Sequence, residues 1–239
     1  MSDEIVIGSG VGLAMLSASA VREALTDCAN LFHRAASAGS TLRFDTSGGI
    51  LKRAGAGENQ DIFASALEPL EDLHKRGLIG KPVAIGVSRI ALGVRKGDKV
   101  PDISTVEKFK RVLLDAPAFA RGDPAGGGTA GIHLNDVLVR LGLLDAVKEK
   151  SILRVGGYKV MAEVASGKAA FGLTQGTEIA AVAGVEIGTW LPPEIQLVTT
   201  YGVAPGKTPR DPALAARFIE FISTGEGVGA FARAGFTAP

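Results

Sequence analysis

The stretch RGDPAGGGTAGIHL, Arg121 to Leu134, gathers an arginine, an aspartate, a threonine and a histidine around a run of glycines. Glycines ahead of a helical pattern let an oxyanion approach backbone amides closely. A nucleotide phosphate loop needs G-x-x-x-x-G-K followed by Ser or Thr. Here Thr129, Ala130 and Gly131 follow Gly128 and no lysine comes next, which rejects that chemistry. GSGVGLA near the start carries Leu13 where a dinucleotide fingerprint has its third glycine, so these glycines read as strand-packing residues.

Other chemistries find little support. Of three histidines, His33 and His74 sit on charged helical patterns and read as surface residues. His133 lies one turn into the helix behind the glycine loop, where a helical histidine is first a packed or exposed side chain and second a ligand contact. No His, Asp and Glu set has metal spacing, and no G-x-S-x-G elbow is present. Asp123, Glu178 and Asp45 form no close pair for acid–base work, and Asp123 before Pro124 reads as a turn former. Cys28, the single cysteine, excludes an internal disulfide and reads as a buried structural thiol.

The elements that must position these residues alternate. GLAML, TLRFDTS, QDIFAS, PVAIGVSRIALGVRKG, APAFARGD, AAFGLTQ and EIQLVTTYGVAPG read as strands, with amphipathic helical patterns between them. STVEKFKRVLLD has Ser104 or Thr105 as N-cap and Glu107 placed for a capping box. The helix from Thr129 breaks at Gly142, and Asp211-Pro212 caps the first of two closing helices. Such alternation predicts an α/β fold with mostly parallel sheets covered on both faces, and ligands at the carboxyl ends of the strands. Four loops at such places, SASA, TSGG, AGGGTAG and VGGY, are built from small residues. Ser17, Ser19, Thr46, Ser47 and Thr129 offer neutral hydroxyls there; each alone reads as a helix cap, and together they point to an anion site.

The 239 residues suffice for one large domain or two lobes, and a net charge of +1 argues against a nucleic-acid binder. Ile5 to Val21 is uncharged and ends in an Ala-x-Ala-like ASA, but MSDE before it is acidic where a signal peptide is basic. The segment reads as a buried first strand and its turn, too short and glycine-rich for a membrane span.

LSASAVREALTD, FDTSGGILKRAGAGENQDIFAS, GDPAGGGTAGIHLNDVLVRLGLLDAVKEK, VASGKAAFGLTQGTE and the terminal GFTAP resemble the type II periplasmic binding proteins, in the molybdate-binding branch. The resemblance covers nearly the whole chain. It implies a two-lobed fold with hinge strands AIGVSRIALGV and LVTTYGVAP, one lobe of residues 1–87 and 201–239 and another of 88–200, and an anion held in a cleft between them. Carried over residue by residue, the ligand contacts are Ser17, Ser19, Ala20, Thr46 and Ser47 in the first lobe, and Gly128, Thr129, Ala130, Gly157, Tyr158 and Gln175 in the second. Gln175 stands where the family has a tyrosine, and the glycine loop is longer than the family's, which points to a ligand larger than molybdate, such as an organic carboxylate. A second resemblance, to the aconitate isomerases, implies cofactor-free allylic proton transfer, with His133, Glu178 and Arg121 as catalytic candidates and Arg154 and Tyr158 as further ones. The expected protein is a monomer without metal or cofactor. It has a small anion as partner, an ABC permease where it serves transport, no nucleic acid and no membrane insertion. Its place is periplasmic if a leader has been removed and cytoplasmic if the sequence is complete as written.

Overall fold

The computed structural model describes residues 4–9 and 12–239. The chain divides into two compact units, Met1–Val87 with Thr199–Pro239 and Ser88–Val198. It passes from one to the other twice.

The first unit contains β1 (Glu4–Ile7), β2 (Gly12–Ala18), α1 (Arg22–Ala36), β3 (Gly39–Asp45), α2 (Ser47–Gly55), β4 (Ile62–Ala66), α3 (Leu67–Lys75) and the start of β5 (Val83–Arg95). The second holds the rest of β5, then α4 (Val106–Asp115), β6 (Phe119–Gly122), α5 (Thr129–Arg140), β7 (Ser151–Arg154), α6 (Gly157–Ala165), β8 (Gly172–Gln175), α7 (Gly176–Ala180) and β9 (Val185–Trp190). β10 (Val198–Pro205) returns to the first unit, which closes with α8 (Pro212–Ile222) and α9 (Gly225–Arg233).

In the first unit the strand order is β1-β3-β2-β4-β10. β2 runs parallel to β3 and β4, and Ser17 pairs with Phe44 on one side and Ala64 on the other. Because β2 leads to β3 through α1 and β3 crosses back to β4 through α2, right-handed crossovers send the two helices to opposite faces. α1 packs with α8 and α9, and α2 packs with α3. Phe32 of α1 meets the ring of Phe218 edge-on at 5.2 Å.

The second unit repeats this logic with strand order β5-β8-β6-β7 and β9 on β5. β6 is parallel to β7 and β8. Side chains alternate along β6: Phe119 joins the apolar cluster under α5, and Ala120 joins the cluster with Val160 and Met161 of α6.

The expected α/β class with helices on both faces is present, and three local readings are corrected. The segment from Ile5 holds two strands, because β1 pairs antiparallel with the outer side of β3 while β2 lies inside; residues 10 and 11, which include part of GSGVGLA, lie outside the described residues. Glu107 forms no capping box: Thr105 is the N-cap and accepts from the amide of Lys108, so Lys108 takes the third position and pairs with Asp102 at 2.7 Å. β9 has no counterpart among the expected strands, since Glu186, Gly188 and Thr189 interrupt its apolar pattern.

Cys28 is fully buried on α1, with its Sγ 3.6 Å from the carbonyl of Gly227 on α9. Burial pushes the thiol up to about 12, Asp27 adds to this and Arg233 opposes it. A thiol held so far above neutral pH presents almost no thiolate. The native protein is therefore expected to leave a disulfide reagent such as dithionitrobenzoate unreacted at neutral pH and to yield one thiol on unfolding; rapid native reaction would contradict this packing.

Candidate functional site

In the first unit the expected residues converge at the carboxyl ends of β2 and β3. Ser17 ends up fully buried within β2, and its hydroxyl donates to the carbonyl of Ala18 at 3.1 Å. Ser19 and Ala20 form a short 3-10 turn ahead of α1, and the Ser19 hydroxyl donates to the carbonyl of Asp45 at 3.3 Å. Thr46 is the N-cap of α2 and accepts from the amide of Gly49 at 3.0 Å. Ser47 opens α2, and its hydroxyl accepts from the amide of Ala66 at 3.5 Å. Of these hydroxyls only that of Thr46 caps a helix, whereas those of Ser17, Ser19 and Ser47 bond to backbone groups of β2, β3 and β4, so the cap reading holds for Thr46 alone.

Two residues outside the expected set share this pole. Arg22, the first residue of α1, is 7% exposed, and its guanidinium carbon lies 4.1 Å from the ring centroid of Phe44. Ser65, next to last in β4, is wholly buried, and its hydroxyl has no hydrogen-bond partner among the described residues. The signal that could have found Arg22 is its charge: the amino-terminal turn of a helix favours acids, and a cation there needs a reason.

In the second unit the glycine loop turns as its composition suggests. Gly127 adopts φ 72°, a left-handed conformation that glycine takes without strain. Gly128 is the N-cap of α5 and has no side chain to occupy its amides. Gly131 packs its backbone against that of Gly122, and Cβ atoms would intervene. Thr129 and buried Ala130 open α5, and the Thr129 hydroxyl accepts from the Gln175 side-chain amide at 3.5 Å.

Gly157 and Glu178 meet. Glu178, in the first turn of α7, is 6% exposed, and its carboxyl accepts from the Gly157 amide at 3.0 Å and from the Thr174 hydroxyl at 2.6 Å. Burial raises the Glu178 carboxyl above its ordinary value; the bonds from Thr174, Gly157 and the Gln175 amide oppose this only in part. The Gly157 amide, assigned to a ligand by resemblance, thus has a resident carboxyl as its acceptor. Tyr158 follows it, half-buried in the first turn of α6.

The catalytic candidates are not brought together. Arg121 alternates with Ala120 and so faces α5, whereas Thr174, which alternates with Leu173, places Glu178 on the α6 face. Arg121 is 3% exposed, its Nε lies 3.5 Å from the Ser151 hydroxyl, and its buried Nη1 has no hydrogen-bond partner among the described residues. Burial holds this guanidinium below its ordinary value, against the raising effect of Asp123. His133 is half-buried, and its Nε2 donates to the carbonyl of Ile195 at 2.8 Å, a structural tie. Arg154 pairs with Glu163 at 2.9 Å. Among the described residues no group of three or more His, Cys, Asp or Glu could hold a metal ion, and no helix is long and apolar enough to cross a membrane.

The chain is 30% identical over 182 residues to an aconitate isomerase of a Pseudomonas species, a match covering 75% of this chain and 68% of that protein. It is 24% identical over 237 residues to a molybdate-binding protein of Mycobacterium bovis, covering 95% and 85% of the two chains. The periplasmic molybdate-binding protein of Azotobacter vinelandii superposes with a TM-score of 0.79 at 21% identity, over 95% of this chain and 99% of that one, which establishes likeness of fold. The family model of the bacterial extracellular solute-binding proteins matches residues 13–237, and the chain belongs to that family.

Proposed function

We propose that the protein binds a small anion, an oxyanion such as molybdate or an organic carboxylate, without transforming it, and passes it as a monomer to an ABC permease outside the cytoplasm. One observation carries the reading: in each unit, buried polar side chains gather at the carboxyl ends of the strands, with Ser17, Arg22, Thr46, Ser47 and Ser65 in the first and Thr174, Gln175, Thr177 and Glu178 in the second. In α/β sheets this is the pole where ligands bind. On this reading Ser17, Ser19, Ala20, Thr46 and Ser47 are the ligand contacts that the first unit supplies, and Gly128, Thr129, Ala130, Tyr158 and Gln175 those that the second supplies.

A thermal-shift panel of molybdate, tungstate, sulfate, citrate and trans-aconitate tests the reading. One member is expected to stabilise clearly, by about 2.7 kcal/mol at a hundred times its Kd. No shift with any member would remove the anion reading and leave the fold untouched.

The 30% identity to an aconitate isomerase favours a second reading, double-bond isomerisation of a small unsaturated polycarboxylate. Ultraviolet absorbance of trans-aconitate then changes with time in the presence of the protein. The separation of Arg121 from Glu178 and the carbonyl bond of His133 support binding over catalysis.

A further inference from the structure

We propose that the second unit holds a separate site for a free amino acid with an apolar side chain, in a cavity beside α4 and the starting ends of β6 and β8. The inference goes beyond the small-anion reading and does not depend on it.

The cavity measures about 500 Å³, within the range of roughly 300–1,000 Å³ in which small-molecule pockets fall. Its lining residues Ala116 and Ala170 come just before β6 and β8, so it lies at the amino ends of these parallel strands. Arg95, the last residue of antiparallel β5, lines it from the same end. Gly128 and Gln175, assigned above to the anion, stand at or beyond the opposite ends of β6 and β8. Val112, Ala116 and Phe171 give the cavity an apolar lining. Phe171 is 2% exposed, and its ring stacks on that of Phe119 at 5.5 Å, so this lining is fixed by the core.

Charges of both signs also line it. Arg95 and Asp98 pair with each other at 3.0 Å. Lys99, Arg111 and Asp115 have no side-chain hydrogen bond or ion pair among the described residues. Arg111 and Asp115 lie four apart on α4 and so share a face, with the arginine first, the weaker order for pairing. Asp115 is the last residue of α4, whose last turn holds no basic residue, so the acid stands against the helix dipole. Lys150 donates to the carbonyl of Leu114 at this helix end and forms no ion pair with Asp115. An ammonium at Asp115 gains from the carboxylate and from the helix end alike. A carboxylate at Lys99 and Arg111 gains charge-assisted hydrogen bonds. Side chains four apart on a helix have Cβ atoms about 5–6 Å apart, a span that an ammonium and a carboxylate on one carbon bridge. The apolar side chain of such a molecule covers Val112, Ala116 and Phe171. A simple acid leaves Asp115 without a counterion, and a simple amine leaves Lys99 and Arg111 without one.

Isothermal titration of wild type, Arg111→Gln and Asp115→Asn decides, with L-leucine, L-phenylalanine and the deaminated and decarboxylated analogues of each as probes. Wild type is expected to hold one of the two amino acids at least about tenfold more tightly than either of its analogues, the size of one charged hydrogen bond. Asp115→Asn removes the advantage over the deaminated acid, and Arg111→Gln reduces the advantage over the amine. Both side chains are exposed, so the variants are expected to unfold at the wild-type temperature and to keep the wild-type response to the anion panel. A wild type that binds neither amino acid, or holds it no more tightly than its analogues, overturns the site. An amino-acid affinity that either substitution leaves unchanged overturns it as well, since the ligand then lies elsewhere on the chain. So does a loss that is equal for the amino acid and both analogues. None of these results touches the small-anion reading, which the anion panel tests by itself.

Discussion

Replacing Asp61 with alanine is expected to destabilise the protein by about 2–4 kcal/mol, because it orphans amides that a buried carboxylate now accepts from. The Asp61 side chain is 2% exposed. It accepts from the amide of Ala14 at 2.7 Å, the amide of Arg210 at 2.6 Å, and Nε and Nη2 of Arg210 at 3.0 and 2.6 Å. Arg210 also donates to the carbonyl of Gly12 at 2.8 Å, so one carboxylate ties the entry of β4 to β2 and to the loop ahead of α8. Burial acts to raise this carboxyl, but the hydrogen bonds from Arg210 and the two amides outweigh it and leave it below its ordinary value. A carboxyl depressed in the folded state stabilises fully above its unfolded value of about 3.9 and loses that contribution as the pH falls through the folded value. Urea unfolding should therefore show a wide gap between wild type and Asp61→Ala at pH 7, and the gap should narrow as the pH drops below about 4. A difference under about 1 kcal/mol at pH 7 would mean that water replaces the carboxylate without loss.

Gly157→Ala is expected to cost about 2–4 kcal/mol in the second unit, although helix propensity favours alanine by about 1 kcal/mol. A Cβ at Gly157 would overlap the carboxyl carbon and Oε2 of Glu178 and the hydroxyl of Thr174. Neither can yield: Thr174 is 2% exposed, and the Glu178 carboxyl is pinned by the two bonds that meet at this point. Pushing it aside leaves a buried polar group unsatisfied, and that term is larger than the propensity gain. Gly229, in the interior of α9, is the control, since its Cβ would meet only the end of the Arg233 side chain at 3.3 Å. There alanine should stabilise by about 0.5–1 kcal/mol. Thermal unfolding of the two variants should move in opposite directions; a stabilised Gly157→Ala would refute the close packing of Glu178 on α6.

Much of the architecture was legible in residue order because its causes are local. Strand and helix periods, the Asp211 cap with its bond from the Leu214 amide, the break at Gly142 and the apolar helix face that buries Cys28 each depend on residues within a turn or two. The absence of a lysine after the glycine run was also decisive as it stood. β9 escaped notice because Glu186, Gly188 and Thr189 break its apolar pattern and its place is set by pairing with β5. Glu107 was misplaced because moving a cap by one residue moves every position after it.

The chemistry of the site obeyed a different rule. By itself the sequence determined the α/β class, the small-residue loops at the strand ends and the absence of a nucleotide phosphate loop. Tertiary structure alone decided that the Gly157 amide faces Glu178, that His133 ties to Ile195 and that Arg22 lies buried on Phe44, pairs separated by 21, 62 and 22 residues. The reason is physical. A hydrogen bond or a stacked cation is settled within a few ångströms of space, and residues so far apart in the chain meet only once the sheet has set their register.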